Sequence, residues 1–328
     1  MSNGKLWLRY SLGLIAAQAV FVLALATISS RPIPFEFARP VGAAMAIWIA
    51  GLAWMITRTG LSALREEEPF PVWRSCLLAE GGTVLRALQI ALVVGVAIAF
   101  HGWAKSMIPH VTGGYWADPI LVRFDAAIFG QDPWRLFRSD LLAPVYSTFY
   151  VSWFAITFGT MGVVAFSAKD QSQLILAYLM TLILGGTFGQ YIMPSAGPMF
   201  FERLGLGVRF HELVQTNDPV FNGFAGYLWH YYQLGSADLG TGISAMPSMH
   251  ISLATWTVLA ARAIWRPLAL PAALYAALLW AASIASGWHY ATDGIFGSVI
   301  AIACYFGARR LVAANPPRSA AMIAESAA

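Results

Sequence analysis

LALPAALYAALLWAASIASGWHYATDGIFGSVIAIACYFGA, residues 268–308, consists of two apolar runs joined by a short polar stretch. Its only charged side chain is that of Asp293, four residues after His289. The runs at 268–286 and 290–308 each approach the roughly twenty apolar residues that an α-helix needs to cross a bilayer. The stretch therefore predicts two consecutive membrane helices whose connection carries His289 and Asp293.

Six further apolar runs are long enough, or nearly long enough, to cross a bilayer. Together the eight lie at about 8–28, 41–57, 84–104, 142–166, 173–193, 248–265, 268–286 and 290–308. The second and the sixth are the shortest, so six or seven spans remain open. The sequence predicts an all-α, polytopic integral membrane bundle of about eight spans.

The composition also indicates a membrane protein. Of the 328 residues, 58% are hydrophobic and 11% are charged, whereas about a quarter of a soluble domain is charged. This excludes an ordinary soluble enzyme, a disordered chain and a collagen-like fibre. The net charge of +4 is weak evidence for nucleic acid, which we do not expect as a partner. Cys76 and Cys304 have no metal-type spacing and are interpreted as free thiols.

The distribution of basic residues predicts the orientation in the membrane. With eight spans both termini lie on one side, which carries twelve Lys and Arg residues against eight on the other. Because positive residues in short loops favour the cytoplasm, we expect cytoplasmic termini. Two long loops, 105–141 and 194–247, then face the extracytoplasmic side, and loops of this length are usually functional. Within the first of them, residues 120–125 predict a short amphipathic helix at the interface.

A first polar group, Ser244–His250, lies at the start of the sixth predicted span. Pro247 suits a first helical turn, and Ser248 with the free N–H groups of that turn would face the extracytoplasmic surface. A helix N-terminus binds phosphate through its unpaired N–H groups and its dipole. We therefore predict a phosphate site at Pro247 and Ser248, with His250 beside it.

A second polar group, Ser286–Asp293, lies at the start of the eighth predicted span. On a helix, His289 and Asp293 would share one face. A carboxylate beside an imidazole fixes its tautomer and stabilises its cationic form, as in nucleophilic triads. Here His289 itself is the candidate nucleophile.

The sixth and eighth spans run in the same direction, so both groups are predicted to meet at one membrane face. His289 would attack phosphorus while His250 protonates the leaving oxygen. This scheme requires neither a metal nor another cofactor. The remaining histidines are interpreted as ordinary polar residues at the interface, and they are His101, His110, His211 and His230.

Both groups resemble signatures of the type 2 phosphatidic acid phosphatase (PAP2) superfamily. Pro247–His250 is similar to its P-S-x-H pattern, and His289–Asp293 is similar to its H-x-x-x-D pattern. The resemblance implies a core of six membrane helices and a phosphohistidine intermediate. It also implies roles by position, with His289 as nucleophile, Asp293 as its orienting acid and His250 as general acid.

The chain departs from the phosphatase form of that family in three places. Ser283 stands where that form has an arginine, and Met249 stands where it has a glycine. The segment Gly189–Pro198, equivalent to its first signature, has neither the lysine nor the arginine of that signature. Other groups must then bind the phosphate, and the candidates are Ser195 and Gly197 in this segment and Arg203 and Arg209 just after it.

The motif around His289 is also similar to the H-Y-x-x-D form of the transferase branch, which includes inositol phosphorylceramide synthase and sphingomyelin synthase. Residues 123–134 are similar to the segment before the core in bacterial relatives of the inositolphosphotransferases. We therefore expect a membrane enzyme that acts on a lipid phosphate or phospholipid and transfers an inositol-type headgroup phosphate between lipid and alcohol acceptors. The alternatives are a plain lipid-phosphate or polyprenyl-phosphate phosphatase, an inactive relative and a non-enzymatic transporter.

The same considerations divide the chain into three parts. Residues 1–83 form N-terminal membrane helices with a cytoplasmic connector, 84–308 the PAP2-like catalytic core, and 309–328 a cytoplasmic tail. The alanine-rich spans and tail are typical of bacteria. We therefore expect a bacterial inner-membrane protein whose active site lies at the periplasmic face, and the oligomeric state stays open.

Overall fold

The chain forms an all-α bundle in the computed structural model, which describes residues 3–31, 33, 38–139, 141–167, 171–235 and 240–314. Within these residues there are thirteen α-helices and no strands. In chain order, α1 to α13 are Asn3–Ser29, Ala38–Ala63, Pro69–Ala79, Gly81–Val111, Asp118–Phe129, Trp134–Phe137, Ala143–Phe166, Gln171–Met180, His211–Gln215, Pro219–Leu234, Met249–Ile264, Ala269–Ala285 and Ala291–Ala313. The predicted fold class is confirmed.

Seven helical segments are long and apolar enough to cross a membrane, as in an integral membrane protein. They are Trp7–Ser29, Pro40–Ala63, Gly81–Val111, Ala143–Phe166, Gln171–Tyr191, Arg266–Ala285 and Ala291–Ala313. Each overlaps a span predicted from the sequence. The eighth, at 248–265, corresponds to α11, whose 16 residues are too few for this class. Helix α11 packs inside the bundle against α7, α12 and α13, and its N-terminal end lies beside that of α13, with 3.1 Å between Ser248 N and the Asp293 carbonyl oxygen.

Several segments predicted as loops or connectors are helical. Helix α4 continues to Val111, past the predicted end of its span at residue 104, and α5 is longer than the short amphipathic helix predicted at 120–125. The connector at 58–82 contains α3, and the long loop at 194–247 contains α9 and α10. Hydropathy missed these extensions because it reports where apolar residues end, whereas a helix continues until its backbone is interrupted.

The segment that follows α8 is helical but wound differently. After α8 the chain continues as a π-helix over Thr181–Phe188, a form that is rare and is often found at functional sites. A Cβ atom added at Gly186 would lie 3.0 Å from His101 Cε1 and 3.0 Å from Met249 Sδ. The glycine therefore allows α4, this π-helical segment and α11 to approach one another closely.

One end of the bundle brings together the polar groups singled out by the sequence. The C-terminal ends of α4 and α12 and the N-terminal ends of α7, α11 and α13 meet there. The Tyr115 hydroxyl, just after α4, donates to the Ile243 carbonyl, just before α11. The Asn217 amide donates to the Ser286 carbonyl at the end of α12. Helices α5, α6, α9 and α10 lie in the connections at this end.

Candidate active site

His289 lies in the short connection between α12 and α13, not on a helix. Helix α13 begins at Ala291, and Asp293 caps it by accepting a 2.9 Å hydrogen bond from the Tyr290 N–H. The prediction that His289 and Asp293 share a helix face is therefore wrong, because His289 precedes the helix. The cap nevertheless leaves Asp293 Oδ2 3.5 Å from His289 Nδ1.

The tautomer of His289 follows from its backbone partner. Its Nδ1 lies 2.9 Å from the Ala245 carbonyl oxygen, which can only accept, so Nδ1 carries the proton and Nε2 keeps a free lone pair. The side chain is 5% exposed, and burial lowers the pKa of His289 to about 3, with a smaller contribution from the Lys105 ammonium. His289 is thus a neutral imidazole whose Nε2 can act as a nucleophile.

His250 lies in the first turn of α11. Ser248 is the N-cap of this helix, and its Oγ accepts from the Ile251 N–H at 3.4 Å. Pro247 therefore precedes the helix instead of lying in its first turn, and that prediction is wrong. The predicted neighbourhood of the two polar groups is nevertheless present, because the Ser248 N–H donates to the Asp293 carbonyl at 3.1 Å.

Aromatic rings surround His250. The Tyr150 ring stacks on it at 4.5 Å between centroids, and the Trp153 ring lies at 4.4 Å. The Tyr150 hydroxyl is 3.3 Å from His250 Nδ1, and Trp153 Nε1 donates to the His250 carbonyl at 3.0 Å. The rings of His250 and His289 are 5.8 Å apart, so the structure brings the two histidines together.

Two buried aspartates of α5 hold the segments around His289. Asp118 accepts hydrogen bonds from the backbone N–H groups of Ala196 (2.8 Å) and Gly197 (2.9 Å) and from the Tyr290 hydroxyl (2.7 Å). Burial raises the pKa of Asp118 to about 6, although these three hydrogen bonds oppose the shift. Asp118 thus ties the 195–197 segment to the residue that follows His289.

Asp125, also on α5, caps the start of α13. Its carboxylate accepts from the N–H groups of Ala291 (2.7 Å) and Thr292 (3.0 Å), which have no partner within the helix. Burial raises the pKa of Asp125, and these hydrogen bonds oppose that effect too. Sequence reasoning assigned no role to Asp118 or Asp125. Their seven-residue spacing, which places both on one face of α5, was the available signal, but the helix predicted at 120–125 begins after Asp118.

Ser195 and Gly197, two of the predicted phosphate-binding residues, make contacts that shape the site. Ser195 Oγ accepts from the Met246 N–H at 3.0 Å, and its carbonyl accepts from the Ala245 N–H at 2.8 Å. Gly197 has φ +93°, and a Cβ atom there would lie 2.6 Å from the Trp288 carbonyl oxygen. Both residues thus lie against the two histidine segments, and their binding of phosphate stays a prediction.

Arg203 and Arg209, the predicted basic partners of the phosphate, lie on the exposed surface. Arg209 pairs with Asp132, with 2.8 Å between Nη2 and Oδ1, and the Arg203 guanidinium lies 5.8 Å from the Trp229 ring centroid. The structure brings neither arginine to the histidines. Their role in phosphate binding also stays a prediction.

Lys105 is the basic residue that the structure places near the histidines. It lies on α4, four residues after His101, and its stem packs against Gly242, three residues before Ala245. Sequence reasoning missed it because the predicted span ended at residue 104 and left Lys105 in a loop. Its position one turn after a histidine at the end of an apolar run was the available signal.

The chain matches a known protein family. Residues 122–306, more than half of the chain, match the model of the PAP2 superfamily. The matched segment contains His250, His289 and Asp293 and begins after Lys105 and Asp118. Searches of curated proteins and of solved structures found no match. Among the described residues there is also no cluster of three His, Cys, Asp or Glu side chains that could hold a metal ion.

Proposed function

The chain belongs to the PAP2 superfamily, and from this premise we propose that it is a membrane enzyme that cleaves a phosphate ester of a lipid through a phosphohistidine on His289. Membership and the seven apolar helices support membrane phosphatase chemistry in general. The observation that carries the finer proposal is the hydrogen bond from His289 Nδ1 to the Ala245 carbonyl. It leaves Nε2 as a nucleophile in a site that contains a second histidine.

In the first step, His289 Nε2 attacks phosphorus and the bond from phosphorus to the leaving oxygen breaks. His250 donates a proton to that oxygen, so the leaving group departs as an alcohol. As the bond forms, positive charge develops on the His289 ring, and the Ala245 carbonyl and Asp293 Oδ2 lie on its Nδ1 side. These two acceptors stabilise that charge.

In the second step, the hydroxyl of an acceptor attacks the phosphohistidine. The neutral His250 takes the proton of that hydroxyl, the phosphorus–nitrogen bond breaks and His289 regains its lone pair. Water as acceptor makes the enzyme a phosphatase, and an alcohol makes it a phosphotransferase. The protein returns to its starting protonation in both cases.

One observation favours transfer to an alcohol. The site lacks the basic residues of the phosphatase form, and a doubly charged phosphate monoester benefits more from such residues than a singly charged diester does. With the H-Y-x-x-D motif, this supports transfer of an inositol-type headgroup phosphate, and the alternative is a lipid-phosphate or polyprenyl-phosphate phosphatase.

We also propose that the site faces the periplasm of a bacterium and that both termini are cytoplasmic. The excess of Lys and Arg in the loops on the side of the termini supports this orientation. A reporter enzyme that is active only in the periplasm, fused after residue 314, is expected to be inactive. Activity of that fusion would overturn the orientation.

The experiment that tests the function is an assay on the purified protein in liposomes. Labelled lipid phosphates and phosphodiesters are supplied with and without polyol acceptors to wild type, His289→Ala and His230→Ala. His230 is an exposed histidine on the same side of the membrane, so its variant is the matched control. We expect product from wild type and His230→Ala and none from His289→Ala.

The identity of that product distinguishes phosphatase from transferase. Product from His289→Ala at the wild-type rate would overturn the phosphohistidine mechanism. No product from any of the three proteins would favour an inactive relative or a transporter.

A further inference from the structure

A phosphate entering this site needs a positive partner that the family signatures do not supply. His289 is neutral, and the positions that are basic in the phosphatase form hold Ser283 and the segment Gly189–Pro198. Transfer of an anion into a buried site is unfavourable unless the site supplies hydrogen bonds or opposite charge. The two exposed arginines predicted from the sequence do not contact the histidines. Another residue of the bundle must therefore supply the positive charge.

Lys105 meets this need by its position. It lies near the end of α4 that reaches the site, and its side chain is partly buried. Gly242 packs on it so closely that a Cβ atom added there would be 3.1 Å from Lys105 Cγ. Gly242 belongs to the segment that leads to Ala245, whose carbonyl holds His289. The lysine stem is thus anchored beside the chain segment that orients the nucleophile.

The ammonium group of Lys105 has no partner of opposite charge among the described residues. No carboxylate lies within ion-pair distance of it, and no residue there accepts a hydrogen bond from it. A partly buried lysine is normally paired, since an unpaired charge in such a place reduces stability. Its stem instead packs against Gly242, three residues before the Ala245 carbonyl that accepts from His289.

Buried donors near the histidines are also without partners in the described part of the chain. Trp288 Nε1, adjacent in sequence to His289, is buried and makes no hydrogen bond, and the same is true of Ser244 Oγ, adjacent to Ala245. Buried polar groups are nearly always hydrogen-bonded, so such groups call for an explanation. A phosphate bound between the two histidine segments would provide oxygen acceptors for such donors and a negative charge for Lys105.

We propose that Lys105 binds the phosphate of the substrate and that α4, which lies outside the family-matched segment, thereby completes the active site. This inference rests on the function proposed above. Apart from the proton that His250 passes to the leaving oxygen, Lys105 supplies one fixed positive charge, which matches the single negative charge of a phosphodiester. The preferred substrate class is therefore a lipid phosphodiester, with phosphate monoesters used less well.

The test uses the full-length protein in nanodiscs and two lipids with the same diacylglycerol, phosphatidylinositol as diester and phosphatidic acid as monoester. Wild type is compared with Lys105→Met, which keeps the stem and removes the charge, and with Lys105→Arg, which restores the charge. Arg123→Gln is the matched control, since it removes one positive charge from the exposed surface of α5. Inhibition by inorganic vanadate, a phosphate mimic, is measured on all four.

We expect Lys105→Met to lower kcat/KM for the diester about 100-fold or more and to weaken inhibition by vanadate by a similar factor. For Lys105→Arg, kcat/KM should stay within about tenfold of the wild-type value. Arg123→Gln should match wild type. Wild type should use the diester at least about tenfold better than the monoester. The melting temperature of Lys105→Met should equal or exceed that of wild type, because an unpaired buried charge contributes no stability.

Three other outcomes would contradict the inference, and they can be distinguished from one another. In the first, Lys105→Met turns over the diester and is inhibited by vanadate like wild type while His289→Ala is inactive. That result would support the proposed function and would contradict the role of Lys105. If Lys105→Met and the more polar Lys105→Gln both lower the melting temperature, the lysine is structural and its assignment to phosphate is wrong. If wild type turns over neither lipid and binds no vanadate, the proposed function and this inference fail together.

Discussion

The two histidines of the site are held by opposite kinds of surroundings. His289 is oriented by oxygen atoms, the Ala245 carbonyl at 2.9 Å and Asp293 Oδ2 at 3.5 Å, and the chain around it is held by Asp118 and Asp125. His250 is held by aromatic rings, and the Tyr150 hydroxyl lies beside its Nδ1.

This difference corresponds to two chemical tasks. A nucleophile needs one tautomer and a fixed direction of attack, and a backbone carbonyl that can only accept provides both. A group that gives up a proton and then takes one back is better served by a tyrosine hydroxyl, because a hydroxyl can donate in one step and accept in the other. The polar support therefore belongs to the proposed nucleophile and the aromatic support to the proposed acid.

The largest expected effect is the loss of turnover when either histidine is replaced. The two variants should differ in how this loss depends on the leaving group. His289→Gln should lower turnover at least about 10⁴-fold for every ester, since no other described group can replace the nucleophile. His250→Gln should lower turnover about 10²- to 10⁴-fold for an alkyl ester. It should have little effect on the first step with a 4-nitrophenyl ester, whose leaving group needs no proton, although the second step still loses its base. Single-turnover rates of leaving-group release from paired alkyl and 4-nitrophenyl lipid phosphodiesters measure this, and equal losses on both for His250→Gln would remove the general-acid role.

The support of the nucleophile is tested next by Asp118→Asn. The amide has one oxygen where the carboxylate receives three hydrogen bonds, so at least one buried donor loses its partner. We expect a loss of about 1–3 kcal/mol in the free energy of unfolding and a fall of about 10- to 100-fold in kcat/KM. Thermal unfolding in detergent and the lipid assay measure the two effects.

Asp132→Asn is the matched control for that variant. Asp132 forms a surface ion pair with Arg209, and such pairs contribute about 0–1 kcal/mol. Asp132→Asn should have the same free energy of unfolding and the same kcat/KM as wild type. Equal effects of the two substitutions would show that the buried network of Asp118 does not position the nucleophile.

A smaller effect is expected from Tyr150→Phe. The ring that stacks on His250 remains, and only the hydroxyl 3.3 Å from Nδ1 is lost. Because one neutral hydrogen bond contributes about 0.5–1.5 kcal/mol, kcat/KM should fall by no more than about tenfold. Tyr150→Ala, which also removes the ring, should lower kcat/KM further. Equal kcat/KM values for the two variants in the lipid assay would contradict the interpretation that the aromatic ring supports His250.

The smallest effect concerns pH. Because the pKa of His289 is lowered to about 3, the nucleophile stays unprotonated, and kcat/KM should not fall on its account between about pH 5 and pH 8. Asp118, whose pKa is raised to about 6, takes up a proton as the pH falls through that value and then loses capacity to accept hydrogen bonds. A several-fold decline below about pH 6 is therefore expected in wild type. Asp118→Asn should lack it, and the same decline in that variant would assign it to another group.

Much of the architecture was predictable because it depends on local composition. Apolar runs near twenty residues predict spans, and the run at 268–308 predicts the positions of α12 and α13 closely. The two histidine groups were found because polar residues at the ends of such runs are costly and therefore informative. Where a helix outlasts its apolar residues, as α4 does, hydropathy gave too early an end, and Lys105 was placed in a loop.

Composition and local spacing are enough to establish the class of the molecule, a polytopic all-α membrane protein, and the two segments that carry the candidate chemistry. Which groups share the site depends on how the helices pack. Ala245 and Lys105 are 44 and 184 residues away from His289 along the chain, and Asp118 is 171 residues away. Periodicity and spacing report only on neighbours within a few turns. The tautomer of His289, its carboxylate supports and its nearby cation depend on helices that meet only when the bundle is packed.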